Sequence, residues 1–304
     1  MPFIVSGGAG FIGSHIADAL LLEGHTVSII DNLSHGHRHF IPLKAKFIQK
    51  DLVKDNLESD LAGVETIFHF AADPDVKTSA SDVQSSFDNN LVATFRLLEA
   101  CRKRDVKNLI FASTSAVYGE VQQVPTSEDA PCTPISNYGA SKLGGEAYCA
   151  SYAACYGLRV SVLRFANIFG ERSTHGVMYD FFHKLKKNPT QLAILGNGKQ
   201  EKSYLHVRDA VRATLEVWKK QRKPFEIFNV GSAKKITVNE IAEKMGLQLN
   251  LHPRFTYTGG DRGWVGDVPL MLLDTEKLLG LGWKEEIDFE DGLRRYVEWM
   301  KATG

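Results

Sequence analysis

The chain has 304 residues, and its 36 basic and 36 acidic residues leave no net charge. A neutral chain creates no overall field that attracts nucleic acid or a membrane surface, so neither partner is expected. The 43% hydrophobic and 24% charged residues are typical of a soluble globular protein. No apolar run approaches the roughly eighteen residues that span a bilayer. A first strand that starts at Pro2 leaves no room for a signal peptide.

Neither cysteine nor histidine shows the pattern of a disulfide or metal site. The four cysteines form no Cys-x-x-Cys pair, which predicts reduced thiols in a cytoplasmic protein: Cys101, Cys132, Cys149 and Cys155. Three histidines alternate along one short segment, at His35, His37 and His39. A metal site also needs converging ligands, usually with a carboxylate or thiol among them. We therefore predict an exposed loop there and no metal ion.

The N-terminal residues indicate a dinucleotide-binding turn. An apolar strand over residues 3–6 runs into Gly7, Gly10 and Gly13, and an amphipathic helix follows over 14–23. Gly7 permits a tight turn, Gly10 lets the backbone approach a pyrophosphate, and Gly13 lets the helix pack closely on the strand. The pyrophosphate would then lie at the helix N-terminus, where unpaired N–H groups and the helix dipole favour negative charge.

A carboxylate in the expected place makes this turn more specific. A second apolar strand over residues 26–30 ends at Asp31. An acid at this position accepts hydrogen bonds from the hydroxyls of the adenosine ribose. The same acid would repel a 2′-phosphate, so the pattern favours NAD over NADP. We therefore predict NAD as the cofactor.

Strands and helices alternate through the first half of the chain, which predicts a doubly wound parallel α/β sheet. Further strands are predicted over 46–49, 66–72, 108–112 and 159–163, and helices over 84–103 and 138–156. We predict a NAD-binding Rossmann domain over 1–166 and a smaller C-terminal α/β substrate-binding lobe over 167–304. A segment near 225–246 is expected to return to the Rossmann sheet. Because ligands bind beyond the carboxyl ends of such strands, the lobe is expected to close over the nicotinamide.

Tyr138 and Lys142 form the candidate catalytic pair. Residues four apart share one face of a helix, so the ammonium can lie beside the phenol. A free tyrosine has a pKa of about 10, and a neighbouring cation together with the positive nicotinamide ring favours the phenolate. Thr114 follows the predicted strand 108–112, where its hydroxyl could hydrogen-bond the reacting oxygen. The alternatives are a surface Tyr–Lys pair and a threonine that only caps the strand.

Together, these motifs resemble those of the extended short-chain dehydrogenase/reductase family, and more narrowly those of UDP-glucose (UDP-galactose) 4-epimerase and related nucleotide-sugar epimerases. The resemblance extends almost from end to end and rests on residues 7–14, 31–34, 113–119 and 138–142. It implies that Thr114, Tyr138 and Lys142 are the catalytic hydroxyl, the base and the orienting cation.

The resemblance also implies contacts to the two ligands. NAD contacts are implied at the turn, the strand ends and one helix: Gly7, Gly10, Phe11, Ile12, Gly13, Asp31, Asn32, Leu33, Ser34, Gly36, Asp51, Leu52, Phe70, Ala71, Ala72, Asn90, Tyr138, Lys142 and Phe165. Contacts to a UDP-sugar are implied at Thr114, Asn167, Val177, Lys202 and Arg262. Lys202 stands where many relatives have a phosphate-binding arginine. The other usual arginine aligns with Trp264, two residues after Arg262.

Ala116 favours epimerisation among the reactions of this family. Relatives that dehydrate or decarboxylate nucleotide sugars carry an acid at this position, and a methyl group cannot replace it. In the implied reaction, Tyr138 takes the proton of the sugar O4 while C4 loses a hydride to NAD⁺. The keto sugar then turns, and the hydride returns to its other face. Alternatives are an epimerase for UDP-N-acetylhexosamine or UDP-glucuronate, a 4,6-dehydratase, and a non-catalytic dinucleotide sensor.

Two further expectations concern the sugar and the assembly. In the family, one residue near the sugar C2 controls whether an N-acetyl group fits, and it aligns with Met271. Methionine is flexible and of intermediate size, which predicts UDP-glucose and UDP-galactose as the main pair with weak N-acetyl activity. Relatives pair through two helices per subunit into a four-helix bundle. This predicts a homodimer through helices 84–103 and 138–156, the second with an apolar face at Tyr148, Tyr152 and Cys155.

Overall fold

The computed structural model describes residues 2–264 and 266–303. The strands in this part of the chain are β1 (Pro2–Ser6), β2 (Thr26–Asp31), β3 (Lys46–Gln49), β4 (Thr66–His69), β5 (Asn108–Thr114), β6 (Arg159–Phe165), β7 (Asn167–Phe169), β8 (Gln191–Ile194), β9 (Glu201–His206), β10 (Phe225–Val230), β11 (Lys235–Thr237), β12 (Arg254–Tyr257) and β13 (Leu270–Met271). The helices are α1 (Phe11–Leu22), α2 (Val83–Ser86), α3 (Ala93–Arg104), α4 (Asn137–Tyr156), α5 (Val177–Lys187), α6 (Val207–Lys220), α7 (Val238–Gln248), α8 (Glu276–Leu279) and α9 (Phe289–Thr303). Within those ranges no helix combines the length and hydrophobicity that a bilayer crossing requires.

Seven strands form one parallel sheet in the order β10-β6-β5-β4-β1-β2-β3. These strands are rich in apolar residues because both faces of a parallel sheet are covered; β6, for example, is buried at every residue after its first. Helices α1 and α6 contribute to the apolar cluster on one face, and α3 and α4 contribute to the cluster on the other. This arrangement confirms the predicted doubly wound parallel α/β fold.

The parallel register brings the carboxyl ends of the strands to one edge of the seven-stranded sheet. Ser6 at the end of β1 lies between Ile30 and His69 of its two neighbours, and Thr114 at the end of β5 pairs with Phe165. The segments that follow these strands therefore emerge side by side. A ligand of an open α/β sheet binds at this carboxyl edge.

The predicted helix over 84–103 is interrupted in the structure. Helix α2 is followed by a π-helical turn at Phe87–Val92 and only then by α3. The side chain of Asn90 is buried within that turn and is held by partners outside the helix, and the Thr94 hydroxyl donates to the Asn90 carbonyl at 2.5 Å. π-Turns of this kind are frequent at functional sites. The periodicity of the apolar residues does not reveal it.

The C-terminal part forms a second, smaller layer. Strands β11, β9 and β13 form a small sheet that β7 joins through β9, and β12 pairs with β8. Helices α5, α7 and α9 close a separate apolar cluster. Of the segment 225–246 that was expected to return to the large sheet, only β10 pairs there. Residues 235–237 pair with β9 instead, and α7 packs on α5. Helix α6 packs against α1 of the large sheet, and the boundary at residues 166–167 stays a prediction.

Candidate functional site

The glycine turn after β1 has the geometry that a dinucleotide requires. Gly7 has a φ of +71°, and a Cβ placed there would lie 2.5 Å from the backbone nitrogen of Ala71. A Cβ on Gly13 would lie 2.2 Å from the Gly7 carbonyl oxygen, so the start of α1 packs directly on the turn. Gly10 is the N-cap of α1 and offers no side-chain cap to the first amides of the helix. Those amides fit the pyrophosphate of NAD.

Asp31 connects the segment after β2 to this turn. Its carboxylate accepts hydrogen bonds from the backbone N–H groups of Ala9 at 3.0 Å and Leu33 at 2.7 Å. Burial raises the pKa of Asp31, and these two hydrogen bonds act in the opposite direction. A Cβ on Gly36 would lie 2.9 Å from an Asp31 oxygen, so the loop returns close to the carboxylate. Each carboxylate oxygen keeps a second lone pair with which a ribose hydroxyl could bond.

The other predicted NAD residues lie along the same edge. Apart from Asn90 and the Tyr138–Lys142 pair, each opens α1, follows the end of β2, β3 or β4, or ends β6: Phe11, Ile12, Asn32, Ser34, Asp51, Leu52, Phe70, Ala71, Ala72 and Phe165. The carboxamide of Asn32 lies 3.4 Å from the Asp51 carboxylate. The structure therefore brings these segments together, and their contacts with NAD stay a prediction.

Asn90 links this edge to helix α4 and to an acid that sequence reasoning missed. Its side-chain oxygen accepts from the backbone N–H of Asp73 at 2.8 Å, and its nitrogen donates to the Ser141 hydroxyl at 3.1 Å. Asp73 is only 7% exposed, and its carboxylate accepts from the Ser85 hydroxyl at 2.5 Å. No motif distinguishes Asp73 in the sequence. Only the packing of the segment after β4 shows that it is buried near α4.

Helix α4 approaches β5 closely because two of its glycines lie where the helix meets β5 and the turn after it. A Cβ on Gly139 would lie 2.6 Å from the carbonyl oxygen of Ala116, and one on Gly145 would lie 2.8 Å from the Phe111 ring. This proximity brings Tyr138 to Thr114, whose side chain hydrogen-bonds to it. Thr114 also accepts from the backbone N–H of Ala116 at 3.1 Å. Both expected roles of this hydroxyl, strand cap and partner of the reacting group, are thus compatible.

The polypeptide alone does not make Tyr138 a phenolate. Burial raises the pKa of Tyr138 to about 12; the hydrogen bond from Thr114 lowers it, and the charge of Asp73 raises it further. Burial also lowers the pKa of Lys142 to about 8, and its ammonium lies 4.9 Å from the centre of the Phe111 ring. We expected the Lys142 ammonium to lower the pKa of Tyr138, but Lys142 is not among the groups that change this pKa. The added positive charge of a nicotinamide ring therefore becomes the main cation expected to favour the phenolate.

Two of the predicted substrate residues, Lys202 and Arg262, lie around a different acid, Asp267. Lys202 forms an ion pair with its carboxylate at 2.5 Å, and Arg262 donates to its carbonyl at 3.0 Å. Arg262 also forms an ion pair with Glu120. The Lys202 ammonium lies 5.3 Å from the centre of the Trp264 ring. Sequence reasoning identified both cations but missed the acids that pair with them.

The remaining two substrate candidates lie on neighbouring elements. Asn167 opens β7, which pairs with β9, and its carboxamide donates to the Ser203 carbonyl at 3.2 Å. Val177 is the first residue of α5 and packs against the apolar cluster of the smaller layer. In the described ranges, no group of three or more His, Cys, Asp or Glu side chains is placed to hold a metal ion. His37 and His39 lie with their rings 5.4 Å apart.

Comparison with known proteins identifies the family. Residues 3–231 match the NAD dependent epimerase/dehydratase family. The chain belongs to this family. It is 37% identical over 98% of both chains to a putative UDP-glucose 4-epimerase of Methanocaldococcus jannaschii. A crystal structure of a UDP-galactose 4-epimerase has a TM-score of 0.90 and 41% identity over 99% of each chain. That of the UDP-glucose 4-epimerase of Thermus thermophilus, a complex with NAD, has a TM-score of 0.92 and 33% identity over 100% of each chain.

Family membership confirms the prediction of an NAD-dependent enzyme of the extended short-chain dehydrogenase/reductase type. The glycine turn agrees with it, since side chains at Gly7 and Gly13 would clash with the backbone and displace the helix N-terminus that a dinucleotide needs. Relatives with other substrate names are also present. These include a UDP-N-acetylglucosamine 4-epimerase and a UDP-glucuronate 4-epimerase. The choice of sugar therefore has to be argued from this chain's own residues.

Proposed function

We propose that this enzyme interconverts UDP-glucose and UDP-galactose, within the UDP-sugar 4-epimerase activity that its relatives support. The observation that carries the proposal is the proximity of Thr114, at the carboxyl end of β5, to Tyr138 of α4, with Lys142 one helical turn further along. A proton acceptor, a hydroxyl and a cation close together at the NAD-binding edge support the proposal. A non-catalytic dinucleotide sensor would not need all three.

Each of these residues has a separate task in the proposed reaction. When bound, NAD⁺ accepts a hydride from the sugar C4 and returns it to the opposite face. Tyr138 takes the proton of the O4 hydroxyl and later gives it back. Thr114 holds that oxygen beside the phenol, and Lys142 contributes positive charge and a donor for the nicotinamide ribose. Ala116 supplies no acid or base, which argues against the elimination of water by a 4,6-dehydratase.

The environment of Met271 supports UDP-glucose and UDP-galactose, which carry no N-acetyl group at C2, as the substrates. Met271 is 3% exposed and packs in an apolar cluster with Val117, Tyr118, Ala166 and Leu273. A flexible side chain of medium size can yield to a larger C2 substituent only in part.

The charges near the predicted substrate residues disfavour UDP-glucuronate. This sugar brings an extra carboxylate at C6, which needs a cation of its own. Lys202 and Arg262 are the cations predicted to contact substrate, and each already forms an ion pair, with Asp267 and Glu120 respectively. The diphosphate would compete for both cations, so a further carboxylate would find little unpaired positive charge there.

Relative kcat/KM values test the choice of sugar. We expect UDP-galactose to exceed UDP-N-acetylgalactosamine and UDP-galacturonate by at least tenfold, or about 1.4 kcal/mol at the transition state. Met271→Ala is expected to raise the relative rate with the N-acetyl sugar, whereas Leu273→Ala, in the same cluster, is the control for lost packing. A tenfold preference of the wild type for either alternative sugar would contradict the proposal.

We further propose a homodimer that forms through α3, α4 and the turn before them. Large apolar side chains on these elements are well exposed: Val83, Phe87, Phe95, Tyr148 and Tyr156. The rings of Phe95 and Tyr148 are 5.4 Å apart and form one patch. Tyr152 does not belong to it, contrary to our expectation, because it is 5% exposed and donates to Glu99 at 2.6 Å. The paired variant Phe95→Asp/Tyr148→Asp is expected to be monomeric by light scattering. A monomeric wild type at micromolar concentration would exclude the proposal.

A further inference from the structure

A buried ion pair lies directly behind the catalytic residues. The side chains of Glu146 and Arg164 are each only 4% exposed, and their closest contact is 2.7 Å. A second nitrogen of the guanidinium donates to the carboxylate at 3.0 Å, and the Ser113 hydroxyl donates to the same carboxylate. Well-packed apolar residues often stabilise a fold as well as such a pair does. Stability alone therefore gives no reason for its presence here.

The carboxylate of this pair belongs to the same helix face as the catalytic residues. Tyr138, Lys142 and Glu146 follow one another at intervals of four along α4, so they form one stripe. Lys142 is 3% exposed, and within residues 2–264 and 266–303 it forms no ion pair. Burial lowers the pKa of Lys142, whereas Cys149 and then Glu146 raise it. The two groups are thus coupled through their charges without direct contact.

Further hydrogen bonds keep the guanidinium in place. Arg164 donates to the Tyr118 hydroxyl at 2.9 Å and to the carbonyl of Glu128 at 3.0 Å. The Tyr118 hydroxyl donates in turn to Asn229 at 2.7 Å, and Asn229 is fully buried on β10. Arg164 is therefore anchored from the side away from α4, and it holds the carboxylate of Glu146 on that side.

We propose that Glu146 and Arg164 are positioning residues for Lys142. Arg164 holds the Glu146 carboxylate away from Lys142 and offsets part of its charge, so Lys142 remains a cation without being drawn into an ion pair along α4. The ammonium then stays available to the reacting groups. The consequence for catalysis rests on the proposed function, whereas the effect on Lys142 does not.

The other groups that face Lys142 carry no charge at neutral pH. His69 on β4 is buried, and burial together with the charge of Lys142 lowers its pKa to about 3. Cys149 lies further along α4, and burial raises the pKa of its thiol. Phe111 of β5 presents its ring. At neutral pH, Glu146, balanced by Arg164 on β6, is therefore the charged group on α4 that acts on the ammonium.

Titration of the Lys142 ammonium by NMR in 15N-lysine-labelled enzyme, assigned with Lys142→Met, tests the proposal. Glu146→Gln removes a negative charge and is expected to lower the titration midpoint by about one pH unit. Arg164→Gln leaves the carboxylate unbalanced and is expected to raise the midpoint by a similar amount. The double variant is expected to return near the wild type. A purely structural role predicts no opposite shifts, since both single variants break the same contact.

Controls separate this effect from lost stability and from the proposed function. Asp209 is another fully buried carboxylate that pairs with an arginine, Arg212; Asp209→Asn is expected to lower stability and leave the midpoint unchanged. If Arg164→Gln does not fold, Ser113→Ala removes only one donor and is expected to raise the midpoint by a few tenths of a pH unit. Shifts in the same direction, or none, would overturn the proposal. Opposite NMR shifts without matching shifts in the alkaline limb of kcat would instead contradict the function proposed for Lys142.

Discussion

The cofactor edge of this enzyme and the proposed substrate side are held together in different ways. At the cofactor edge, backbone meets backbone: Gly13 packs on the Gly7 carbonyl, and Gly139 packs on the carbonyl of Ala116. On the substrate side, long side chains meet across the chain. Lys202 pairs with Asp267, 65 residues away, and Arg262 pairs with Glu120, 142 residues away. At the glycines of the first region there is no room for a Cβ atom, whereas the charged side chains of the second region can exchange partners.

This difference predicts two kinds of response to substitution. Where backbone atoms are in contact, an added methyl group has to move a helix or a strand, so the loss is large. Where long charged side chains meet, removal of one partner changes binding more gradually. Asp267 keeps a hydrogen bond from the backbone N–H of Gly263 at 2.9 Å when Lys202 is removed, and solvent reaches both Arg262 and Glu120. Gly13→Ala and Lys202→Met test this contrast, and Tyr138→Phe tests the chemical step at the cofactor edge.

Tyr138→Phe is expected to have the largest effect. It removes the phenol oxygen and keeps the ring, so NAD stays bound while kcat falls about a thousandfold. Turnover and the NAD content of the purified enzyme measure the two outcomes. Tyr296→Phe, which removes another buried hydroxyl that donates to Ser173 at 2.7 Å, is the control and is expected to keep kcat. Activity of Tyr138→Phe within tenfold of the wild type would contradict the assignment of Tyr138 as the proton acceptor.

Gly13→Ala is expected to weaken NAD binding about a hundredfold, because the new Cβ would lie 2.2 Å from the Gly7 carbonyl oxygen and displace the helix N-terminus. Isothermal titration with NAD gives the affinity. Gly280→Ala is the control, since the nearest atom to its Cβ is 3.3 Å away at the end of α8. Unchanged affinity in Gly13→Ala would show that the turn does not hold the pyrophosphate.

Lys202→Met is expected to have the smallest effect, a rise of about tenfold in the KM for the UDP-sugar with little change in kcat. The lysine would contact the diphosphate equally in ground and transition states, so only binding suffers. Lys235→Met is the matched control, because Lys235 forms a 2.5 Å ion pair with Glu201 on the same small sheet. A fall in kcat at constant KM would assign Lys202 to the chemical step instead.

Apolar periodicity predicted much of the fold, and the elements that it did not predict have physical explanations. The strand at Phe225–Val230 and the helix that carries Tyr138 lie where the pattern predicts them. The π-turn at Phe87–Val92 was missed because its cause is the buried side chain of Asn90, which bonds outside the helix. The segment near 225–246 was expected to return to the large sheet, and its strand over 225–230 does, but an apolar pattern alone does not state which sheet the later residues join.

The sequence by itself determined the glycine turn, Asp31 and the Tyr138–Lys142 pair, because short-range spacing controls the geometry of a turn and of one helix face. Only the tertiary structure decided what surrounds these groups. The charge of Asp73 raises the pKa of Tyr138. The ion pair of Glu146 with Arg164 lies one helical turn beyond Lys142. Such partners come from different strands and loops, and burial sets how strongly their charges act. Neither the contacts nor the burial exist before the chain is folded.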